Sequence, residues 1–313
     1  MEHRDLGRSG LRVSLVGLGC NNFGMIDIEA SRKVVHRALD LGITLFDTAD
    51  VYGKRGGSEE QLGEILGPRR KEIVLATKVG MPMDDSGAKK GASRRYIMEA
   101  VEASLKRLKT EWIDLYQLHQ ADPETPLAET LGALNELVEQ GKVRHIGCSN
   151  LPAAQVAAAA AISRAKGWAQ FVSAQDEYSL LVRGIERDLI PELERQGMGL
   201  LPYFPLASGM LTGKYKRSAE VPVGTRMAVM KRLADRYMTE ENWPKVEKLA
   251  AFASARGHTL LELAFSWLAS RPCLASIIAG ATRAEQIEQN VAAVNWKLTD
   301  EELAEIDAIT GKQ

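Results

Sequence analysis

The sequence is poor in cysteine, carries almost no net charge and has no long apolar run, and each shortage removes a class of protein. Its 313 residues include three cysteines, Cys20, Cys148 and Cys273. These are far apart, odd in number and lack Cys-x-x-Cys spacing, which excludes a disulfide framework and a cysteine-based metal centre. No metal is expected. Forty Lys and Arg against 41 Asp and Glu leave a formal net charge of −1, too balanced for a nucleic-acid backbone or a polybasic membrane anchor. The short basic clusters at 69–71 and 214–217 are followed or flanked by acids and read as solvated surface. The longest unbroken apolar stretch, 156–162, is mostly alanine and too short to cross a bilayer. The opening Met-Glu-His-Arg-Asp has no signal-peptide pattern. What remains, 45% hydrophobic and 26% charged, is an ordinary globular composition. A cytoplasmic protein with reduced thiols is expected, with neither nucleic acid nor membrane as a partner.

Length alone allows two domains at about 150 residues each, but no Pro/Ser-rich linker divides the chain. Eight short β-branched or Leu-rich runs recur instead, at 13–18, 43–46, 73–77, 112–118, 143–148, 171–174, 198–202 and 273–278. Amphipathic helical patterns lie between them at 29–41, 58–66, 94–108, 127–139, 152–163 and 185–196. Ser58 followed by Gln61 has the form of a capping box. Eight strand-helix units predict one (β/α)8 TIM barrel over residues 1–313. Segment 4–14, with Gly7-Arg8-Ser9-Gly10 at its centre, predicts an N-terminal β-hairpin. The interval between strands seven and eight is exceptional. It holds a long loop, 208–230, and extra helical patterns at 240–255 and 260–269, and a loop of that length is usually functional.

Gly17-Leu18-Gly19 after a strand invites a dinucleotide-fold reading, which its surroundings oppose. Asn22 stands where a third small residue belongs, and Asp40 falls late in a helical pattern instead of ending a second strand. Gly17 and Gly19 read better as positions where backbone approaches a ligand or a neighbour closely.

Polar residues collect where strands end. Asp47 and Tyr52 follow the second strand, Lys78 the third, His119 the fourth, Ser149 and Asn150 the fifth, Gln175 the sixth and Tyr203 the seventh. In a barrel these ends surround one mouth, where active sites are built. Any one of them alone is more commonly a cap or a satisfied structural side chain. Together, Asp, Tyr, Lys and His suit one chemistry. A phenol is a poor acid near neutrality; an adjacent ammonium should pull its pKa down, and an aspartate should hold that ammonium charged. With an imidazole as second donor, such a site can hydrogen-bond and protonate a carbonyl oxygen.

Segments 46–53 (Phe-Asp-Thr-Ala-Asp-Val-Tyr-Gly), 76–78 (Ala-Thr-Lys) and 114–119 (Asp-Leu-Tyr-Gln-Leu-His) resemble signatures of the aldo-keto reductase family. Segments 146–150, 175–178, 203–215 and 279–290 add matches in family order. The chain is most similar to the bacterial branch that also resembles potassium-channel β-subunits. The resemblance implies an NADPH-dependent reductase of aldehydes or ketones, with Tyr52 as general acid, Lys78 and Asp47 tuning it and His119 orienting a small-molecule carbonyl. It implies that Ser149, Asn150 and Gln175 hold the nicotinamide carboxamide, that Tyr203 stacks on its ring, and that Gly19 lets the backbone approach. It further implies that Pro205, Leu206, Ser208, Gly209 and Lys214 wrap the pyrophosphate. Gly280, Thr282, Arg283, Gln286, Gln289 and Asn290 would surround the 2′-phosphate and adenine, with Arg283 as the phosphate's cation. Two positions depart from the pattern: Ala279 replaces a frequent proline, and Gln289 stands where an acidic residue is common. Asn21, Phe23, Val51 and Met81 are the candidate substrate contacts. Two other readings stay open, a binding or regulatory subunit on the same fold and Schiff-base chemistry at Lys78.

Overall fold

A computed structural model describes residues 1–311. Eight parallel strands form one sheet: β3 (Val16–Gly19), β4 (Leu45–Asp47), β5 (Val74–Val79), β6 (Ile113–Leu118), β7 (Val143–Ser149), β8 (Phe171–Gln175), β9 (Gly199–Leu200) and β10 (Ile277–Gly280). Their order is β10-β3-β4-β5-β6-β7-β8-β9. Hydrogen bonds from Leu200 N to Cys273 O (2.8 Å), Ala275 N to Leu200 O (2.9 Å) and Ile278 N to Pro202 O (3.1 Å) join the two ends. The sheet is therefore a closed (β/α)8 barrel. Helices α1 (Ile28–Asp40), α2 (Tyr52–Leu66), α3 (Arg94–Leu108), α4 (Leu127–Glu139), α5 (Ala153–Lys166) and α6 (Leu189–Gln196) follow β3 to β8 in turn. Between β9 and β10 come α7 (Arg226–Val229), α8 (Lys231–Tyr237), α9 (Asn242–Ser254) and α10 (Leu260–Ala269); α11 (Ala284–Ala292) and α12 (Asp300–Thr310) close the chain. Among the described residues no helix is long and apolar enough to cross a membrane.

Alternation along the strands builds two apolar layers. One face of the strands meets the helices, as α3 illustrates: Ser93 caps it by accepting from Tyr96 N (3.3 Å), and Ile97, Val101, Leu105 and Leu108 form its buried stripe. The opposite face fills the barrel with Leu45, Val74, Ala76, Leu115, Leu201, Ala275 and Ile278. Strands β1 (His3–Asp5) and β2 (Arg12–Ser14) pair antiparallel, and their hairpin contributes Leu6, just after β1, and Val13, in β2, to this inner cluster. The hairpin thus plugs the end of the barrel opposite the polar strand ends.

The structure corrects several expected boundaries. Run 13–18 is broken: Val13 and Ser14 belong to the hairpin, and the barrel strand begins at Val16. At 198–202 the ladder is only two residues long. Of 273–278, the first three residues serve ring closure, and β10 itself runs on to Gly280. The Ser58/Gln61 capping box does not form. Ser58 Oγ donates to Cys20 O (2.8 Å), and Gln61 Oε1 accepts from Gly24 N (2.9 Å) and Ser31 Oγ (2.7 Å). The loop after β3 lies over this end of α2 and takes both side chains. Asp40, excluded above as a ribose-binding residue, ends α1 and pairs with Arg69 (3.2 Å).

Candidate active site

Three neighbouring strands and one loop bring the four expected residues together. Lys78, near the end of β5, is wholly buried, and its Nζ donates to Asp47 Oδ2 (2.7 Å) and to Thr48 O (2.8 Å). It also reaches the Tyr52 hydroxyl at 3.4 Å and lies 4.9 Å from the centre of that ring. His119, just beyond β6, meets Tyr52 edge-on, with ring centroids 5.7 Å apart and planes at 85°. Asp47 is held from its other side: Oδ1 accepts from Gln175 Nε2 (2.7 Å) and Gln117 Nε2 (3.2 Å). A carboxyl group buried to this extent needs such partners to offset its lost hydration.

Burial pulls the Lys78 ammonium down, but Asp47 and Tyr52 more than offset it and hold the group above the ordinary lysine range. A lysine so firmly protonated is a poor Schiff-base nucleophile. For Tyr52 the outcome differs from the sequence expectation. Burial raises the phenol and outweighs the lowering by Lys78, so the hydroxyl lies above, not below, its ordinary value. It is a neutral donor in this state. His119 is pushed down to about 3 by burial and then by the Lys78 charge, and its Nδ1 is buried without a partner among the described residues. The imidazole is neutral at any working pH.

Around these four stand the residues expected to touch a nicotinamide. Ser149 Oγ donates to Gln175 O (2.8 Å), and Asn150 Nδ2 donates to His119 O (3.1 Å) and Ser149 Oγ (2.9 Å). Tyr203 donates to Asn150 Oδ1 (2.8 Å). Gln175 donates to Asp47, which ties this group to the four central residues. These groups form a continuous polar lining, with acid, ammonium and imidazole at its centre.

A profile of the Aldo/keto reductase family matches residues 15–310. The chain belongs to the aldo/keto reductase family. Among its relatives are a probable voltage-gated potassium channel subunit beta of Arabidopsis thaliana, 36% identical over 94% of this chain and 92% of that one. An L-glyceraldehyde 3-phosphate reductase of Escherichia coli strain K12 is 35% identical over 98% of this chain and 92% of its own. The versiconal hemiacetal acetate reductase of Aspergillus parasiticus is 33% identical over 97% and 95%. Carbonyl reduction is thus the chemistry of this aldo/keto reductase in general terms, and a nicotinamide cofactor is the family's hydride carrier.

Further from the centre, Pro205 is buried and Leu206 half-buried, while Ser208 (φ 56°) and Gly209 (φ 97°) turn the backbone left-handed. Lys214 is exposed, 5.1 Å from the Tyr215 ring centre. Gly19 and Gly280 are register partners on β3 and β10, and a Cβ on Gly280 would come within 2.9 Å of Asn21 Oδ1. Thr282 N (2.8 Å) and Arg283 N (3.2 Å) both donate to Gln286 Oε1, so Gln286 organises the start of α11. Arg283 and Gln289 are exposed and Asn290 is buried. Of the candidate substrate contacts, Asn21, Val51 and Met81 are half-buried at loop positions, and Phe23 is wholly buried.

Two residues at the mouth carried no signal that singled them out. Gln117 is an uncharged side chain in a strand that also carries Asp114, and only its spacing of two from His119 hinted at the inward face. Arg226, the first residue of α7 in the long segment after β9, donates to Asn22 Oδ1 (2.7 Å) and lies 5.8 Å from the Phe204 ring centre. That bond ties the long segment after β9 to the loop after β3.

Proposed function

We propose that this aldo/keto reductase uses NADPH to reduce aldehydes or ketones to alcohols in the cytoplasm, with Tyr52 as general acid. The observation that carries the reading is the Lys78 ammonium, fixed by Asp47 and in contact with the Tyr52 hydroxyl. The surrounding donors fit a dinucleotide. Ser149, Asn150 and Gln175 supply amide and hydroxyl groups for a carboxamide, and Tyr203 supplies a flat ring. Ser208 Oγ, buried with no partner among the described residues, is a hydroxyl suited to a pyrophosphate oxygen. Leu206, Gly209 and Lys214 belong to the same cradle with Pro205. Arg283, exposed and without an ion partner among the described residues, suits a 2′-phosphate, with Gly280, Thr282, Gln286, Gln289 and Asn290 about the adenosine; Gly19 leaves room beside them.

When bound, the cofactor supplies a hydride to carbon and no proton. The proton must come from the protein. As negative charge grows on the carbonyl oxygen, Tyr52 donates its hydroxyl proton and becomes phenolate beside Lys78. The ammonium offsets that charge, and Asp47 keeps the ammonium in place. His119 is neutral and so offers a hydrogen bond without competing as an acid. Asn21, Phe23, Val51 and Met81 are proposed to shape the substrate side.

Tyr52→Phe removes only the hydroxyl. NADPH affinity, read by fluorescence, should scarcely change, while aldehyde turnover should fall by roughly 10²–10⁴. Near-normal turnover would transfer the acid role to another group and overturn the mechanism.

A further inference from the structure

Four consecutive residues after Tyr52 adopt left-handed backbone: Gly53 (φ 68°), Lys54 (φ 63°), Arg55 (φ 69°) and Gly56 (φ 121°). The glycines are explained by contact. A Cβ on Gly53 would lie 2.4 Å from Phe23 O and 2.6 Å from Ser58 N, and one on Gly56 would lie 2.8 Å from Arg107 Cδ. Lys54 and Arg55 are the opposite case. They occupy backbone that glycine enters freely and side-chain residues enter only with strain, yet both are long cations. Non-glycine residues held this way concentrate where the side chain serves a site.

The turn follows the proposed acid directly, so the Cα atoms of Tyr52 and Lys54 are at most ~7 Å apart by chain length. Its two cations are unequally committed. Arg55 donates to Asp85, in the loop beyond β5, at 2.5 Å. Lys54 is exposed and has no carboxylate within ion-pair distance among the described residues. Deeper in the site, Lys78 is matched by Asp47 and His119 is neutral. The Lys54 charge is therefore unpaired among the described residues and within chain reach of the reacting centre; Arg226, bonded to Asn22, is another cation at the mouth with no carboxylate partner among them.

We propose that Lys54, assisted by Arg55, is a specificity-determining cation, and that the carbonyl substrate carries an anionic group, phosphate or carboxylate, some bonds from its carbonyl. The inference rests on the carbonyl reduction proposed above and adds the substrate's charge. Asp85 occupies Arg55 until the anion arrives. With a side chain 94% exposed, it can turn into water at little cost.

The test compares kcat and KM for glyceraldehyde 3-phosphate against glyceraldehyde, and for succinic semialdehyde against butanal, at saturating NADPH. In the wild type the anionic member should be favoured through KM, the more so at low salt; which pair shows it distinguishes phosphate from carboxylate. In Lys54→Gly the anionic-to-neutral ratio of kcat/KM should fall about three- to tenfold, with the change in KM. Because glycine relieves the left-handed backbone, the melting temperature should not fall, which separates lost recognition from a damaged turn. Asp85→Asn should move the ratio the other way by freeing Arg55. Equal use of charged and neutral aldehydes by the wild type, or a ratio unmoved by Lys54→Gly, overturns the proposal and leaves carbonyl reduction standing. No turnover of any of the four overturns the reductase reading, and this inference with it.

Discussion

Asp50 lies two positions before Tyr52, is 1% exposed, and neither carboxyl oxygen has a partner among the described residues. Burial, and after it the charge of Glu59, pushes its pKa up to about 8. The unfolded chain would lose this proton near pH 4. Between those values the unfolded state binds fewer protons than the native one, so native stability declines as pH rises and Asp50's contribution is gone by about pH 8. Asp50→Asn keeps the shape and cannot ionise. Its urea midpoint should match the wild type most closely near pH 5 and exceed it by a growing margin towards pH 8; parallel profiles would refute the assignment. Residue chemistry of this kind was only half legible in the sequence. The types at positions 47, 52, 78 and 119, each at or just after a strand end, announced that these side chains would meet at one mouth, as they do. The direction of the Tyr52 shift was not legible, since it is decided by how completely the ring is buried, and composition carries no burial.

At the scale of elements, the loop after β3 and the turn after Tyr52 support each other through bare backbone. Gly53→Ala would place a methyl against Phe23 O, Ser58 N and Gly24 Cα, all of them backbone atoms, at a residue with φ 68°. None of these can move aside as a side-chain tip would. The substitution should cost about 1–3 kcal/mol in chemical denaturation and should lower turnover as well, because the displaced turn carries the phenol. Unaltered stability would mean that the two loops do not bear on each other. The regular elements were legible because the period of apolar residues changes from about two to 3.6 at each strand-helix junction. Helix α10 shows local punctuation: Glu262 N donates to Thr259 Oγ1 (3.2 Å) and Thr259 N to Glu262 Oε2 (2.7 Å). The bond between Arg226 and Asn22 was not legible, since it joins a loop to the start of a four-residue helix about two hundred residues away, with no periodicity to mark it.

At the scale of the whole molecule, the ring is unevenly fastened. Strands β5 and β6 pair through four register partners, from Ala76 with Leu115 to Val79 with Leu118, whereas β9 is two residues long and meets the β10 side through three backbone bonds. Short, sparse pairing opens at lower free energy than a long ladder. The amides of Leu200, Ala275 and Ile278 should therefore exchange with deuterium sooner than those of β5 and β6 in the native protein. Equal protection would mean that the barrel opens only as a unit. The eight-fold alternation made the barrel legible, but this unevenness depends on where two short strands stop, which apolar patterning fixes poorly.

The position of β10 also matters before the protein is finished. It is the last strand in the chain, yet it stands between the first barrel strand, β3, and β9. As a ribosome delivers the polypeptide, β3 to β9 can zip together in order of appearance, but the curled sheet keeps two bare edges until residues 273–280 emerge. Unpaired edges template pairing with other chains. A nascent chain stalled before Cys273 is then an aggregation hazard rather than a slightly shortened reductase, and the same short segment that closes the ring decides when the molecule becomes safe to release.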